Sequence, residues 1–260
     1  MTRTTRGVAA ALGAVTILVG AAAQVSAAEA KQNVTAQADP AASPATYADF
    51  LRHSHEEGAA DALNAFQHLT RAEQNKFIDY LHDPALLNAF LDKAAGHDER
   101  VSTHVRNVSS ATSLRNGDVT VEQKRVVSGL AAGARPLPKG NHTVTYTTYV
   151  KYFGVKVIKL NLSVDFHSNG HDITKVNDAD ASKKNLSGVI NISHAIPKKS
   201  LSNWSWCPRG RHCSRGHHAD ASVIWEGSLV FRGSTFQVDK KQWMRANVYG
   251  KLDDYYLKNV

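Results

Sequence analysis

His142-Thr-Val-Thr-Tyr-Thr-Thr-Tyr-Val-Lys-Tyr-Phe-Gly-Val-Lys-Val-Ile-Lys-Leu-Asn-Leu-Ser-Val-Asp-Phe166 reads as two β-strands in succession. Val144, Tyr146, Thr148, Val150 and Tyr152 share one face of the first; Ile158, Leu160, Leu162, Val164 and Phe166 share one face of the second. Strand side chains alternate between the two sides of a sheet, so each run offers one apolar face to a core and turns the other to water. The β-branched and aromatic content suits a half-buried pleated surface. Between the runs, Phe153, Val155 and Val157 fall in the opposite phase around Gly154. That break implies either a hairpin turn or a bulge bending one long strand.

Downstream, Asn169-Gly170 is a dipeptide that favours the left-handed angles of a tight turn, and the next strand is expected from His171. Further strand patterns occupy residues 189–196, 219–231 and 242–249, with Val223, Trp225, Leu229 and Phe231 as the inward set of the second. Residues 101–108 and 119–127 add weaker ones upstream. Six to eight short strands joined by turns imply an antiparallel sandwich or barrel-like domain over residues 118–260.

Residues 46–96 have helical periodicity instead. Tyr47, Phe50 and Leu51 form one apolar patch, Ala59, Ala62, Leu63 and Phe66 a second, and Phe77, Ile78, Tyr80 and Leu81 a third. Thr70 and Glu73 have the spacing of a capping box, in which each side chain satisfies a free backbone N–H of the other. Asp83 followed by Pro84 marks another helix start, with Leu86, Leu87, Phe90 and Leu91 on its buried face and Gly96 at its end. The fold class is therefore α+β: a small helical unit at 46–96, a connecting segment at 97–117, and the β-rich domain.

The first 27 residues have the order of a cleavable secretion signal: Arg3 and Arg6, an apolar run from Val8 to Ala23, then Val25-Ser26-Ala27. The run is too short, and too rich in Ala and Gly, to span a bilayer, which takes roughly 20 strongly apolar residues. Cleavage after Ala27 leaves an exported chain with no transmembrane segment, and residues 28–45, with Pro40 and Pro44, read as a flexible leader. The Ala-rich opening, Leu-Thr-Arg-Ala-Glu-Gln at 69–74 and the closing Tyr-Tyr-Leu-Lys-Asn-Val at 255–260 resemble uncharacterised exported proteins of actinobacteria. The resemblance carries export with it and no activity.

Charge divides the chain. Residues 31–100 hold 6 Lys and Arg against 11 Asp and Glu, a net of −5, whereas residues 101–260 hold 23 against 11, a net of +12. Opposite charges favour docking of the helical unit on the β-domain, but exposed pairs contribute only about 0 to 1 kcal/mol each, so apolar contact must do most of the work. Phe77, Tyr80, Leu86 and Phe90 are its expected donors. The basic excess points to an anionic partner: a cell-wall polymer, an acidic glycan or a protein, with nucleic acid not expected.

Polar chemistry is densest at residues 204–218, with Arg209, Arg211, Arg215, His212, His217 and His218 and no acid. These six are the candidate anion-binding set, because guanidinium forks match phosphate and carboxylate. Cys207 and Cys213 lie within the same loop and, in an exported chain, are expected to form a disulfide. The neighbouring histidines complete a zinc donor set in number only; the spacing matches no finger pattern, and neither metal nor cofactor is expected. His53, His55, Glu56 and Glu57 read as a solvated helical surface, and His167 and His171, with Asp165 and Asp172, as an exposed turn. The sequence lacks a Gly-x-Ser-x-Gly elbow, a His-Glu-x-x-His pair, a P-loop and a dinucleotide glycine pattern, and no catalytic residue is assigned. The leading expectation is a secreted, non-enzymatic binding or cell-surface-associated protein; the alternative is a secreted hydrolase with a dispersed active site. Mass spectrometry of the exported protein should show a gain of two protons on reduction of Cys207 and Cys213, and free thiols or stoichiometric zinc would reject the bridge.

Overall fold

The structure is a computed structural model that describes residues 39–86, 109–128, 135–206, 214–231 and 234–260. The first helix, α1 (Pro44–His53), starts two residues inside the stretch read as leader. Its start is fixed chemically: Ser43 Oγ accepts the Thr46 N–H at 3.2 Å, Thr46 Oγ1 accepts the Ser43 N–H at 2.9 Å, and Pro44 fills the first turn. After Gly58 comes α2 (Ala59–Gln67), and the anticipated Thr70–Glu73 capping box opens α3 (Arg71–Leu81). Asp83 Oδ1 then accepts the N–H groups of Ala85 and Leu86, as a helix cap does. Phe90 and Gly96, expected in that last helix, lie outside the described residues.

Ten strands among the described residues form two antiparallel sheets. The first is a meander, β1 (Ser109–Leu114), β2 (Val119–Ser128), β3 (Gly140–Tyr152), β4 (Val155–Ser168) and β5 (Ile173–Asn185), in chain order. The second contains β6 (Ile190–His194), β7 (Lys198–Trp206), β8 (Ser214–Phe231), β9 (Ser234–Ala246) and β10 (Leu252–Asn259). Its order is β10-β9-β8-β6, with β7 paired to the other half of the long β8. The arrangement is sandwich-like and not a closed barrel. Strand β1 lies inside the 97–117 segment read as a connection, because Ser-Ser-Ala-Thr-Ser-Leu carries no apolar alternation yet pairs residue for residue with β2.

The phase break around Gly154 is both a turn and a bulge. Tyr152 pairs with Val155, and Phe153 and Gly154 between them have φ of 49° and 82°, the pair of left-handed residues that a two-residue hairpin requires. Two residues past Val155 the register shifts: Val150 pairs with Ile158 and Lys151 with Lys156, leaving Val157 as the extra residue. Val155, Val157, Ile158 and Leu160 are consequently all buried. At Asn169-Gly170 the strands rejoin only at Ser168 and Ile173, so β5 begins two residues after the expected His171. Asn169 Oδ1 accepts the N–H groups of His171 and Asp172 and closes a longer loop.

The inner faces bury Val144, Tyr146, Val150, Leu162, Val164 and Phe166 from the first sheet and Val223, Trp225, Leu229 and Met244 from the second. Phe231, the fourth member of the expected inward set, has no described side chain. Trp225 and Gln242 link the two sheets: Trp225 Nε1–H donates to Gln242 Oε1 at 2.8 Å, and Gln242 Nε2–H donates to the Tyr146 carbonyl of the facing sheet at 3.4 Å.

The described helices and both sheets belong to one unit, Ala38–Val260. Phe77 meets Tyr152 edge to face with centroids 5.4 Å apart, Tyr80 stacks on Phe153 at 5.9 Å, and the Tyr47 hydroxyl donates to the Leu186 carbonyl at 2.7 Å. Phe77 and Tyr80 are two of the docking residues named from sequence. Truncation of Phe77 to Ala should cost about 3–5 kcal/mol in denaturant unfolding, and Tyr47→Phe about 1–3 kcal/mol because a buried carbonyl loses its donor. An unchanged midpoint for Phe77→Ala would show that the helices are not part of the cooperative fold.

Candidate functional site

The loop chosen from sequence is only partly visible. Cys207, Cys213, Arg209, Arg211 and His212 lie outside the described residues, and Arg215 is described only through its backbone in β8. His217 and His218 are described, and each is already held by an acid. The His217 backbone N–H donates to Asp172 Oδ1 at 2.8 Å while its Nδ1 lies 2.7 Å from Asp172 Oδ2, and His218 Nε2 lies 2.9 Å from Asp253 Oδ2. Burial raises the Asp172 carboxyl, but the hydrogen bonds from His217 outweigh it and hold the group below the usual carboxylate range. These two histidines therefore tie the β7–β8 hairpin to the β4–β5 loop and to the start of β10. Both imidazoles are engaged within the chain.

The outward face of β8–β10 carries a second set of cations. Arg245 lies over the Trp243 ring at 5.1 Å, Trp243 stacks on Tyr256 at 5.2 Å, and Lys258 lies over Tyr256 at 4.5 Å. Asp220 takes both Nε and Nη2 of Arg245 at 2.8 Å, so the guanidinium fork is consumed. Each aromatic face in the stack is turned to a neighbour. The arrangement stiffens the sheet surface more than it offers charge.

The outward face of β2–β5 is different. Antiparallel pairing puts Glu122, Tyr149, Lys159 and Lys184 in one row across four strands, with Lys151 and Lys156 directly opposed in the next. Two like-charged pairs, Lys151 with Lys156 and Lys159 with Lys184, thus sit side by side on one face. Directly opposed like charges destabilise a sheet, in the range of 0.2–1 kcal/mol that cross-strand pairs span. Lys151 is relieved by an ion pair with Glu122, and Lys184 by one with Glu57 from the turn before α2. Lys156 and Lys159 approach the Tyr149 ring, at 5.4 and 5.8 Å from its centroid, and among the described residues no carboxylate lies within 4 Å of either. Exposed Lys124 continues the face one row further along.

The strand period had this face within reach. Lys151, Lys156 and Lys159 lie outside the apolar face of the same two runs that reveal the core. What the sequence lacked was the partner strand: Lys184 joins them only because β5, a polar strand of Ile-Thr-Lys-Val-Asn-Asp-Ala-Asp-Ala-Ser-Lys-Lys-Asn, pairs with β4. The chemistry available is that of clustered ammonium groups on a hydrogen-bonded sheet, which attract oxyanions as point charges without bidentate geometry.

Comparison with family models, with curated proteins and with solved structures yields no match to this chain. No helix among the described residues is long and apolar enough to cross a membrane.

If the lysine face is held against its own repulsion, replacing one member by an acid should relieve it. Lys156→Glu is expected to raise stability by about 0.5 kcal/mol at low ionic strength, with the gain fading in molar salt as screening shortens to roughly 3 Å. A loss of stability under both conditions would show that Lys156 is a structural contact and not a repelled charge.

Proposed function

We propose that this chain is a secreted, non-enzymatic binding or cell-surface-associated protein whose basic β-rich domain contacts an extracellular anionic polymer through the outer face of β2–β5. The observation that carries this reading is the pairing of Lys151 with Lys156 and of Lys159 with Lys184 around Tyr149. Two of these four ammonium groups, Lys156 and Lys159, have no carboxylate within 4 Å among the described residues and are left to attract an anion from outside. Secretion, read from Arg3, Arg6 and the apolar run to Ala23, places such a polymer within reach. The net of +12 in residues 101–260 supports long-range attraction, and Arg209, Arg211 and Arg215 add further cations in the same domain.

An open, charged sheet face suits a linear polymer lying along the surface, whereas a small substrate needs a concave site of roughly 300–1,000 Å³. Among the described residues, the depression bounded by Gln123, Arg125, Tyr146 and Tyr255 has a cavity volume of only about 10 Å³. The lysine face is therefore the better supported contact.

The test is retention of the mature chain on immobilised polygalacturonate and heparin across a salt gradient. Retention should weaken steadily with salt, and the double substitution Lys156→Gln, Lys159→Gln should lower the log–log salt slope by about one unit per lysine, as removal of charge contacts to a polyanion does. Absence of retention, or retention that ignores salt and both substitutions, would overturn the proposal.

A further inference from the structure

The turn between α1 and α2 brings an acid onto the lysine face. Glu57 pairs with Lys184, on the same row as Lys159 and Tyr149, although its own side chain is 83% exposed. Lys184, hydrogen-bonded to it, holds the Glu57 carboxyl below the usual carboxylate range, and Lys159 adds to the effect. Among the described residues no other ion pair or hydrogen bond holds the Glu57 side chain, and an exposed ion pair of this kind is weak. Gly58, at φ 91° with open space around it, forms the corner that lets the turn reach over β4 and β5. The carboxylate thus lies where an approaching anion would meet the paired ammonium groups of Lys159 and Lys184.

We propose that Glu57 occupies, from within the chain, the position that a carboxylate of an acidic glycan takes on Lys159 and Lys184, so that ligand and turn compete for the same ammonium groups. This rests on the anionic-polymer reading above and deepens it in two respects. The ligand class is a polysaccharide bearing carboxylates, because a carboxylate is the group the face already accommodates. The affinity of the face is set by an internal competitor that is displaced when the polymer binds. A weak competitor is what reversible retention at a cell surface needs: its contact neutralises one ammonium of a like-charged pair in the free protein and yields to a polymer that offers several carboxylates at once.

The experiment measures binding of the full mature chain to polygalacturonate at fixed low salt for wild type, Glu57→Gln, Glu56→Gln, Lys184→Gln and the Glu57→Gln, Lys184→Gln pair. Glu56→Gln changes net charge equally, but the Glu56 side chain makes no ion pair or hydrogen bond among the described residues, so it reports general electrostatics alone. Glu57→Gln should bind roughly two- to fivefold tighter than wild type, the scale of one exposed ion pair, with Glu56→Gln gaining clearly less. In the Lys184→Gln background the Glu57→Gln gain should shrink, since the group being competed for is gone. A polyphosphate arm distinguishes the ligand class: equal or tighter binding of polyphosphate with the same Glu57 dependence would overturn the carboxylate assignment. Equal effects of the two glutamine variants, or none, would overturn the competition while leaving the binding face in place. If neither wild type nor Glu57→Gln binds any polyanion, the binding reading itself falls and the competitor with it.

Discussion

The two-residue turn at Phe153-Gly154 is the constraint from which the remaining arrangement follows. A turn with both residues at positive φ joins β3 to β4 with the right-handed twist that sheets adopt, and it admits one register only. Because strand side chains alternate, that register decides at once which residues meet the second sheet and which meet water. Val150, Leu160, Leu162 and Val164 go inward; Tyr149, Lys151, Lys156 and Lys159 go outward. The bulge at Val157 corrects the phase so that the apolar face continues past the turn without interruption. Phe153 also serves the helices: its ring stacks on Tyr80, and its backbone N–H donates to the Asp118 carbonyl at 2.6 Å, fastening the β1–β2 turn to the same corner.

Docking at that corner carries an electrostatic consequence. The helical segment approaches through Tyr47, Phe77 and Tyr80, whose burial and ring contacts supply the attachment. The acid brought along with it, Glu57, falls on the lysine row because Lys184 and Lys159 lie across β4–β5 beside the docking site. Apolar packing therefore sets the position and charge exploits it, in keeping with the small contribution of any one exposed pair. The opposite face of the sandwich shows the contrasting solution. There Asp220 neutralises Arg245 with two hydrogen bonds, and aromatic rings separate the remaining cations. Arg245 is thus neutralised on one surface, whereas on the other, among the described residues, Lys156 and Lys159 meet the Tyr149 ring and no carboxylate within 4 Å.

The two strong strands, the helix starts at Thr70 and Asp83, and the docking roles of Phe77 and Tyr80 were all legible from local periodicity and capping chemistry. Strands β1, β7 and β10 were not, for a common reason. Each lies at a sheet edge or pairs along one side only, and such strands need little apolar surface, so Lys-Lys-Ser-Leu-Ser-Asn-Trp-Ser-Trp in β7 carries no clear alternation. The same limit hid the lysine face. Sequence puts Lys159 and Lys184 25 residues apart, and only the β4–β5 register makes them neighbours. Local composition drew attention instead to His217 and His218, and side-chain geometry then showed each of them matched by an aspartate.

The central claim is that the outer face of β2–β5, and not the remaining basic surface, meets the polyanion. Lysine acetylation footprinting of the mature chain, with and without polygalacturonate and read by peptide mass spectrometry, tests it directly. The account predicts that Lys151, Lys156, Lys159 and Lys184 lose reactivity together when the polymer is present and recover it in high salt, while Lys241 and Lys258 on the opposite sheet keep theirs. Protection confined to Lys241 and Lys258, or spread evenly over every lysine, would contradict it.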